Sequence, residues 1–186
     1  AECPAQLLRN LTHFASRNAM DIDGLGPAVI QQLVDSGLVR TAADLYSLRP
    51  EQIAELDRMG QKSARNAVEA IARSREDDLW RLIFALGIRQ VGEKAAKVLA
   101  ARFGSMDALS TATEEELTAI DDVGPITAKY IRQWMDSPQS QDLLARLKAA
   151  GLNMTCKEEM VDSRFAGMTF ALTGALEKFT RDEAGE

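Results

Sequence analysis

Apolar residues recur at helical spacing through most of the chain. Near the N-terminus they form one helix face, made of Leu7, Leu8, Leu11, Phe14 and Ala15. Thr113 followed by Glu116 predicts a capping box at a helix start. Pro138 suits the first turn of a later helix, and Gly151 suits its end. Because the alternation typical of strands is nearly absent before residue 151, the pattern predicts an all-α fold of short helices and tight turns.

The pattern changes after Gly151. Residues 152–163 are polar and irregular, which predicts a linker. Residues 168–174 read Met-Thr-Phe-Ala-Leu-Thr-Gly, a pattern typical of a strand that enters a turn. Because residues 164–186 are too few to bury a core of their own, we expect them to be the truncated start of an α/β domain.

A glycine repeat runs through the helical region. Its members lie 34, 32 and 32 residues apart, and each follows an apolar residue. They are Gly26, Gly60, Gly92 and Gly124. Residues 41–60 also resemble residues 105–124 at an offset of 64. A fixed period predicts repeated structural units. Here it predicts four helical hairpins arranged as two duplicated pairs.

Each repeated glycine is expected to lie in the turn between two helices. Glycine adopts positive φ freely and lets other backbone approach closely. The N–H groups of the turn and of the next helix then form a small anion site, which suits a DNA phosphate. The candidate DNA-binding residues are Gly24, Gly26, Gly60, Lys62, Arg89, Gly92, Lys94, Gly124 and Lys129. In the other interpretation, the glycines only end one helix and pack against the next.

Composition and charge limit where such a surface can lie. The chain is 46% hydrophobic and 27% charged, which excludes a largely disordered or fibrous protein. Its net charge of −6 argues against binding nucleic acid through a bulk positive field. Residues 49–102, however, carry 11 Lys/Arg against 8 Asp/Glu, a net +3 that leaves −9 elsewhere. We therefore expect any nucleic-acid surface in that stretch.

Several strings carry a resemblance to known proteins. The glycine pattern resembles the helix-hairpin-helix motif of non-sequence-specific DNA-binding proteins. The order of parts resembles the C-terminal half of the bacterial NAD-dependent DNA ligase family. Residues 19–26 and 86–94 are similar to that family's first and third hairpins. Residues 3–6, Cys-Pro-Ala-Gln, are similar to the end of its zinc finger, and residues 165–174 are similar to the opening strand of its BRCT domain.

The resemblance implies a division of the chain. Residues 1–18 would hold the end of the zinc-finger region and a connecting helix, and residues 19–151 the helix-hairpin-helix domain. A linker over 152–163 and the start of a BRCT domain over 164–186 would follow. Cys3 would be the last of four zinc ligands in the intact enzyme, and the chain would be a piece of that longer protein.

The resemblance also implies an activity. Enzymes of this family use NAD and magnesium to adenylate a lysine in a Lys-x-Asp-Gly motif. They pass AMP to the 5′-phosphate of a nick, and attack by the 3′-hydroxyl seals it. No lysine here is followed by x-Asp-Gly. The chain alone is therefore expected to be inactive, to bind none of NAD, Mg and Zn fully, and to hold nicked duplex DNA.

The residues and the resemblance together indicate the cellular location of the protein. No apolar run approaches the roughly 18 residues of a membrane span. The two cysteines, Cys3 and Cys156, are far apart, which favours a reducing cytosol. The resemblance implies the bacterial cytoplasm, near the nucleoid, with the BRCT region as a candidate contact for a protein partner.

Two departures leave alternatives open. The motif prefers a further glycine two residues before the repeated one. Gly24 provides it, but Arg58, Gln90 and Asp122 occupy that position in the other turns. One alternative is a helix-hairpin-helix module from another DNA-repair or junction-processing protein. The other is a helical protein–protein interaction module, which the acidic balance favours.

Overall fold

The computed structural model describes residues 3–157, and this part of the chain is helical. The α-helices are α1 (Pro4–Ala15), α2 (Pro27–Asp35), α3 (Pro50–Ala54), α4 (Gln61–Ser74), α5 (Leu79–Ala85), α6 (Glu93–Phe103), α7 (Met106–Thr111), α8 (Glu114–Thr118), α9 (Pro125–Asp136) and α10 (Pro138–Ala149). A 3-10 helix, Ala42–Ser47, lies between α2 and α3. Residues 3–157 contain no strand, only an isolated bridge between Ser105 and Thr155. The all-α prediction is confirmed there, and the strand predicted over 168–174 lies outside the described residues.

Four pairs of helices pack together across short connections. We number them as hairpins 1 to 4: α1 and α2 joined by residues 16–26, α3 and α4 by 55–60, α5 and α6 by 86–92, and α8 and α9 by 119–124. Each connection ends at one of the repeated glycines, which is the N-cap of the second helix. The period of the sequence is thus the period of these helix starts.

Apolar residues around the repeated glycines build the core. Those directly before the glycines are buried or partly buried: Leu25, Met59, Val91 and Val123. A fully buried alanine occupies the fourth position after three of the glycines. These alanines are Ala64, Ala96 and Ala128. A methyl side chain at this position lets the second helix pack closely on its neighbours. The core therefore fixes the direction in which each helix start points.

Helix α1 of hairpin 1 contacts α5 of hairpin 3. This contact joins the first half of the domain, hairpins 1 and 2, to the second half, hairpins 3 and 4. His13 Nε2 lies 2.7 Å from the carbonyl oxygen of Phe84, and the two rings meet edge to face. The Arg81 guanidinium donates to the carbonyl oxygens of Arg17 and Ala19, just beyond the end of α1. These contacts hold the C-terminal end of α1, and the residues just after it, against α5.

Residues 152–157, the first part of the predicted linker, are bonded to the helical domain. Leu152 is buried. The Asn153 N–H donates to the Arg75 carbonyl at 2.7 Å, and the Cys156 N–H donates to the Gly104 carbonyl at 2.8 Å. The segment therefore belongs to the packed domain, because its backbone pairs with the ends of α4 and α6. The rest of the predicted linker lies outside the described residues.

No helix within residues 3–157 is long and apolar enough to cross a membrane. The longest, α4, has 14 residues. At 1.5 Å per residue it extends about 21 Å, short of the roughly 30 Å of a hydrocarbon core.

Candidate nucleic-acid interface

The repeated glycines have ordinary extended backbone. Their φ angles are −72° at Gly26, −98° at Gly60, −87° at Gly92 and −76° at Gly124. The expectation that these positions need positive φ is therefore wrong. Any residue can adopt these angles, so backbone conformation does not explain why glycine stands there.

The left-handed position of the turn lies two residues earlier. There φ is +89° at Gly24, +63° at Arg58 and +68° at Gln90, whereas Asp122 does not have positive φ. Gly24 also lies close to α4, since a Cβ added there would lie 3.3 Å from the Ala67 Cβ. Gly24 is therefore the turn position at which the fold itself requires glycine.

Space in front of the repeated glycines is open. A Cβ added at any of the four would meet no atom within 4 Å among the described residues. Among residues 3–157, no side chain caps the helix that follows each of them. By contrast, α5, α7 and α8 are capped by the side chains of Asp78, Ser105 and Thr113. The first-turn N–H groups after the repeated glycines are thus left without a side-chain acceptor.

The four helix starts differ in their donors. Pro27 and Pro125 occupy the first helical position of α2 and α9, and proline has no N–H. Gln61 and Glu93 occupy it in α4 and α6, so these two helices each present one more backbone donor. The positive end of the helix dipole adds to the donors at all four.

The predicted lysines and arginine lie in different surroundings. Lys62, at the second position of α4, is exposed and has no ion-pair or hydrogen-bond partner among residues 3–157. Lys94, at the second position of α6, donates from Nζ to Asp122 Oδ1 at 2.8 Å, and this hydrogen bond raises the Lys94 pKa. The Arg89 guanidinium lies 5.1 Å from the centroid of the Tyr130 ring.

Lys129, five residues after Gly124, is a residue predicted from the sequence, whereas the cations at the same position of two other hairpins were not predicted. Arg65 lies five residues after Gly60 and is exposed, like Lys129. Lys97 lies five residues after Gly92. It pairs with Glu93 at 2.7 Å and lies over the Trp80 ring. Residues three apart share a helix face, so Lys62 and Arg65 lie side by side. The 32-residue period, which relates Arg65 and Lys97 to Lys129, was the signal that could have identified these two residues.

The turns of neighbouring hairpins lie next to each other. The Gln32 side chain of α2 accepts from the Asp57 N–H at 2.7 Å and donates to the Asp57 carbonyl at 3.3 Å, which links hairpins 1 and 2. The Lys94–Asp122 pair links hairpins 3 and 4. The predicted residues are therefore brought together two hairpins at a time.

Cys3 lies at the N-cap of α1 and is exposed. Within residues 3–157 no group of three or more His, Cys, Asp or Glu side chains could hold a metal ion. A structural zinc takes four ligands. The described residues therefore do not fit a zinc site, and the assignment of Cys3 as a ligand stays a prediction.

Comparisons with known proteins agree with this geometry. A family described as "SAM-like Helix-hairpin-helix tandem" matches residues 16–73, and one described as "Helix-hairpin-helix motif" matches residues 81–144. The first covers the turns of hairpins 1 and 2, and the second those of hairpins 3 and 4.

Curated relatives match nearly the whole chain. A protein named DNA ligase from Trichlorobacter lovleyi is 54% identical over 98% of this chain. The DNA ligases of Marinobacter nauticus and Carboxydothermus hydrogenoformans are 53% and 50% identical over 99% of it. The chain spans 27–28% of the length of these relatives. The chain is therefore similar, over nearly its whole length, to a segment that makes up about a quarter of these DNA ligases, and it carries helix-hairpin-helix sequence.

Proposed function

We propose that this chain holds duplex DNA, without reading its sequence, for a DNA ligase that seals nicks. In this proposal the four hairpins are helix-hairpin-helix motifs in two duplicated pairs. DNA phosphates bind at the N-termini of α2, α4, α6 and α9. The candidate residues are the repeated glycines and Gly24, together with Lys62, Arg89, Lys94 and Lys129.

The open, uncapped helix starts carry this proposal. Nothing within the described residues fills the space in front of the repeated glycines, and their φ angles suit any residue. The absence of a side chain is therefore explained by something outside the fold that comes close to the backbone. A phosphate oxygen that accepts from first-turn N–H groups meets that description.

The same donors explain why binding would ignore sequence. Backbone N–H groups and lysines that contact phosphates fix a protein on the duplex, whereas sequence is read at base edges. An enzyme that seals breaks at any position needs this kind of contact. The names of the relatives favour a ligase over another DNA-processing protein.

For the whole protein we propose the chemistry that the resemblance implies. It would be NAD-dependent and would use magnesium, with a zinc site that includes Cys3 and a BRCT region that meets a protein partner. It would act in the bacterial cytoplasm near the nucleoid. The Lys-x-Asp-Gly motif is missing from this chain, so adenylation would reside elsewhere, and the chain's own residues would bind and orient the nicked duplex.

A pair of substitutions at Gly60 tests the proposal. Gly60→Ser adds a neutral cap and Gly60→Asp a charged one, and each would occupy the N–H groups of α4. Because both residues are good N-caps and glycine is only slightly poorer, we expect the free energy of unfolding to stay the same or rise by roughly a few tenths of a kcal/mol. Affinity for a nicked duplex should fall, by at least about tenfold for Gly60→Asp, since its carboxylate also repels phosphate.

Fluorescence anisotropy with labelled nicked duplexes of two unrelated sequences measures the effect. Ser137→Asp is the matched control, because Ser137 is the N-cap of α10, at the end of α9 far from the turn of hairpin 4, and its side chain makes no cap hydrogen bond within residues 3–157. It should bind nearly as the parent does. Should both Gly60 variants bind as tightly as the parent, the glycines are structural turns and the protein–protein interaction alternative gains.

A further inference from the structure

The ion pair between Lys94 and Asp122 joins two of the proposed phosphate sites. Lys94 is at the second position of α6, and Asp122 lies two residues before Gly124, the N-cap of α9. The 2.8 Å contact is exposed to solvent, with the lysine side chain 82% exposed and the aspartate 35%. The lysine can therefore leave its partner without any change in the core.

Asp122 places a negative charge where phosphates would bind. Its carboxylate lies beside the start of α9 and is bonded to the first turn of α6. At the corresponding position of hairpin 2 the chain has Arg58, an exposed cation. Opposite charges thus stand at equivalent turn positions of the two halves, although the N-cap glycines that follow have similar backbone angles.

We propose that Asp122 sets the affinity of hairpins 3 and 4 for the phosphodiester backbone by competing with it for Lys94. In the free protein the carboxylate holds the ammonium group. On binding, Lys94 exchanges the carboxylate for a phosphate oxygen, and Asp122 remains as a nearby negative charge. The inference rests on the proposed function and deepens it, because it names a residue that lowers affinity within that interface.

Four forms of the 186-residue chain test this inference: the parent, Lys94→Ala, Asp122→Asn and the double variant. Exposed ion pairs contribute modestly, so Asp122→Asn should tighten binding to a nicked duplex by about twofold to fivefold. In the Lys94→Ala background the gain should be clearly smaller, because no lysine is left to release. The double-mutant cycle separates this coupling from the general effect of removing a negative charge.

Asp107→Asn is the matched control. Asp107 pairs with Lys148 of α10 at 3.1 Å, and both residues lie outside the four hairpin turns. It removes the same charge from an exposed pair and should change affinity less than Asp122→Asn does. Melting temperatures of all variants verify that each one folds.

The outcomes separate the two proposals. If the parent does not bind duplex DNA, both the proposed function and this inference are overturned. If the parent binds but Asp122→Asn weakens binding, the pair orients Lys94 and does not compete for it. Equal gains with and without Lys94 would show a general charge effect. Either of the last two results overturns the inference and leaves the proposed function standing.

Discussion

Hairpins 2 and 3 share a local design but differ in what surrounds it. Each has an extended glycine N-cap and a lysine at the second helical position. In hairpin 2, the exposed cations Arg58, Lys62 and Arg65 have no ion-pair, hydrogen-bond or ring partner among residues 3–157. In hairpin 3 the cations of the turn and of the first turns of α6 are all engaged, although Gln90, not an arginine, stands at the position of Arg58. Those cations are Lys94 with Asp122, Lys97 with Glu93 and Trp80, and Arg89 with Tyr130.

The difference shows that the glycine pattern and the charge pattern vary independently. The backbone geometry of the helix starts is the same in both halves, whereas the number of unengaged cations is not. Free cations contribute to phosphate binding without first breaking another contact. The first half of the domain should therefore provide most of the charge-dependent affinity.

The largest expected effect concerns stability and the turn of hairpin 1. Gly24→Val places a β-branched residue at φ +89° with its Cβ 3.3 Å from the Ala67 Cβ. Strain and crowding together should lower the free energy of unfolding by about 2–4 kcal/mol. Urea denaturation followed by circular dichroism measures this change.

Gly26→Val, in the same turn, is the control for Gly24→Val. Its φ is −72° and its Cβ would meet no atom within 4 Å among the described residues. Loss of a good N-cap residue should cost at most about 1 kcal/mol. Equal destabilisation by the two substitutions would contradict the assignment of the structural requirement to Gly24.

A smaller effect should separate the two lysines. Lys62→Ala should weaken duplex binding by about threefold to tenfold and flatten the log–log salt slope by roughly 0.9, the value for one phosphate. Lys94→Ala should cost less affinity, because the parent must break the Asp122 contact before Lys94 can bind. Affinities measured across a salt series decide between them, with Arg73→Ala on the exposed surface of α4 as a control. A larger loss with Lys94→Ala would reverse the comparison.

The smallest expected effect lies at the left-handed turn position of hairpin 3. Gln90 has φ +68°, which glycine adopts without strain. Gln90→Gly should raise the free energy of unfolding by up to about 1 kcal/mol, since relief of strain exceeds the added freedom of the unfolded chain. Asp122→Gly, where φ is not positive, should bring no such gain in a thermal melt.

Much of the fold could be predicted from the sequence because local signals decide helix limits. Pro138 begins α10, and the capping box at Thr113 begins α8. The periodic apolar positions also predicted core residues, because the buried face of a helix repeats at a fixed spacing. The prediction that each repeated glycine lies in the turn before a helix was also correct. The reason given for it, a need for positive φ, was wrong, because φ depends on the whole turn and the left-handed residue lies two positions earlier.

The surroundings of the cations could not be predicted in the same way. The Lys94–Asp122 contact joins residues 28 apart, and only the packing of hairpin 3 against hairpin 4 brings them together. Because the sequence does not show this contact, Lys62 and Lys94 look equivalent in the sequence. The irregular residues 152–157 gave no periodic signal either, because their order comes from backbone bonds to distant helix ends.

Those backbone bonds have a consequence for where the domain can be cut. A chain shortened at Gly151 would remove the donors that pair the carbonyls of Arg75 and Gly104. It would also uncover the apolar surface that Leu152 covers. A protease should therefore spare the peptide bonds of residues 152–157 while the domain is folded. The shortest piece that keeps its full resistance to digestion should extend to residue 157.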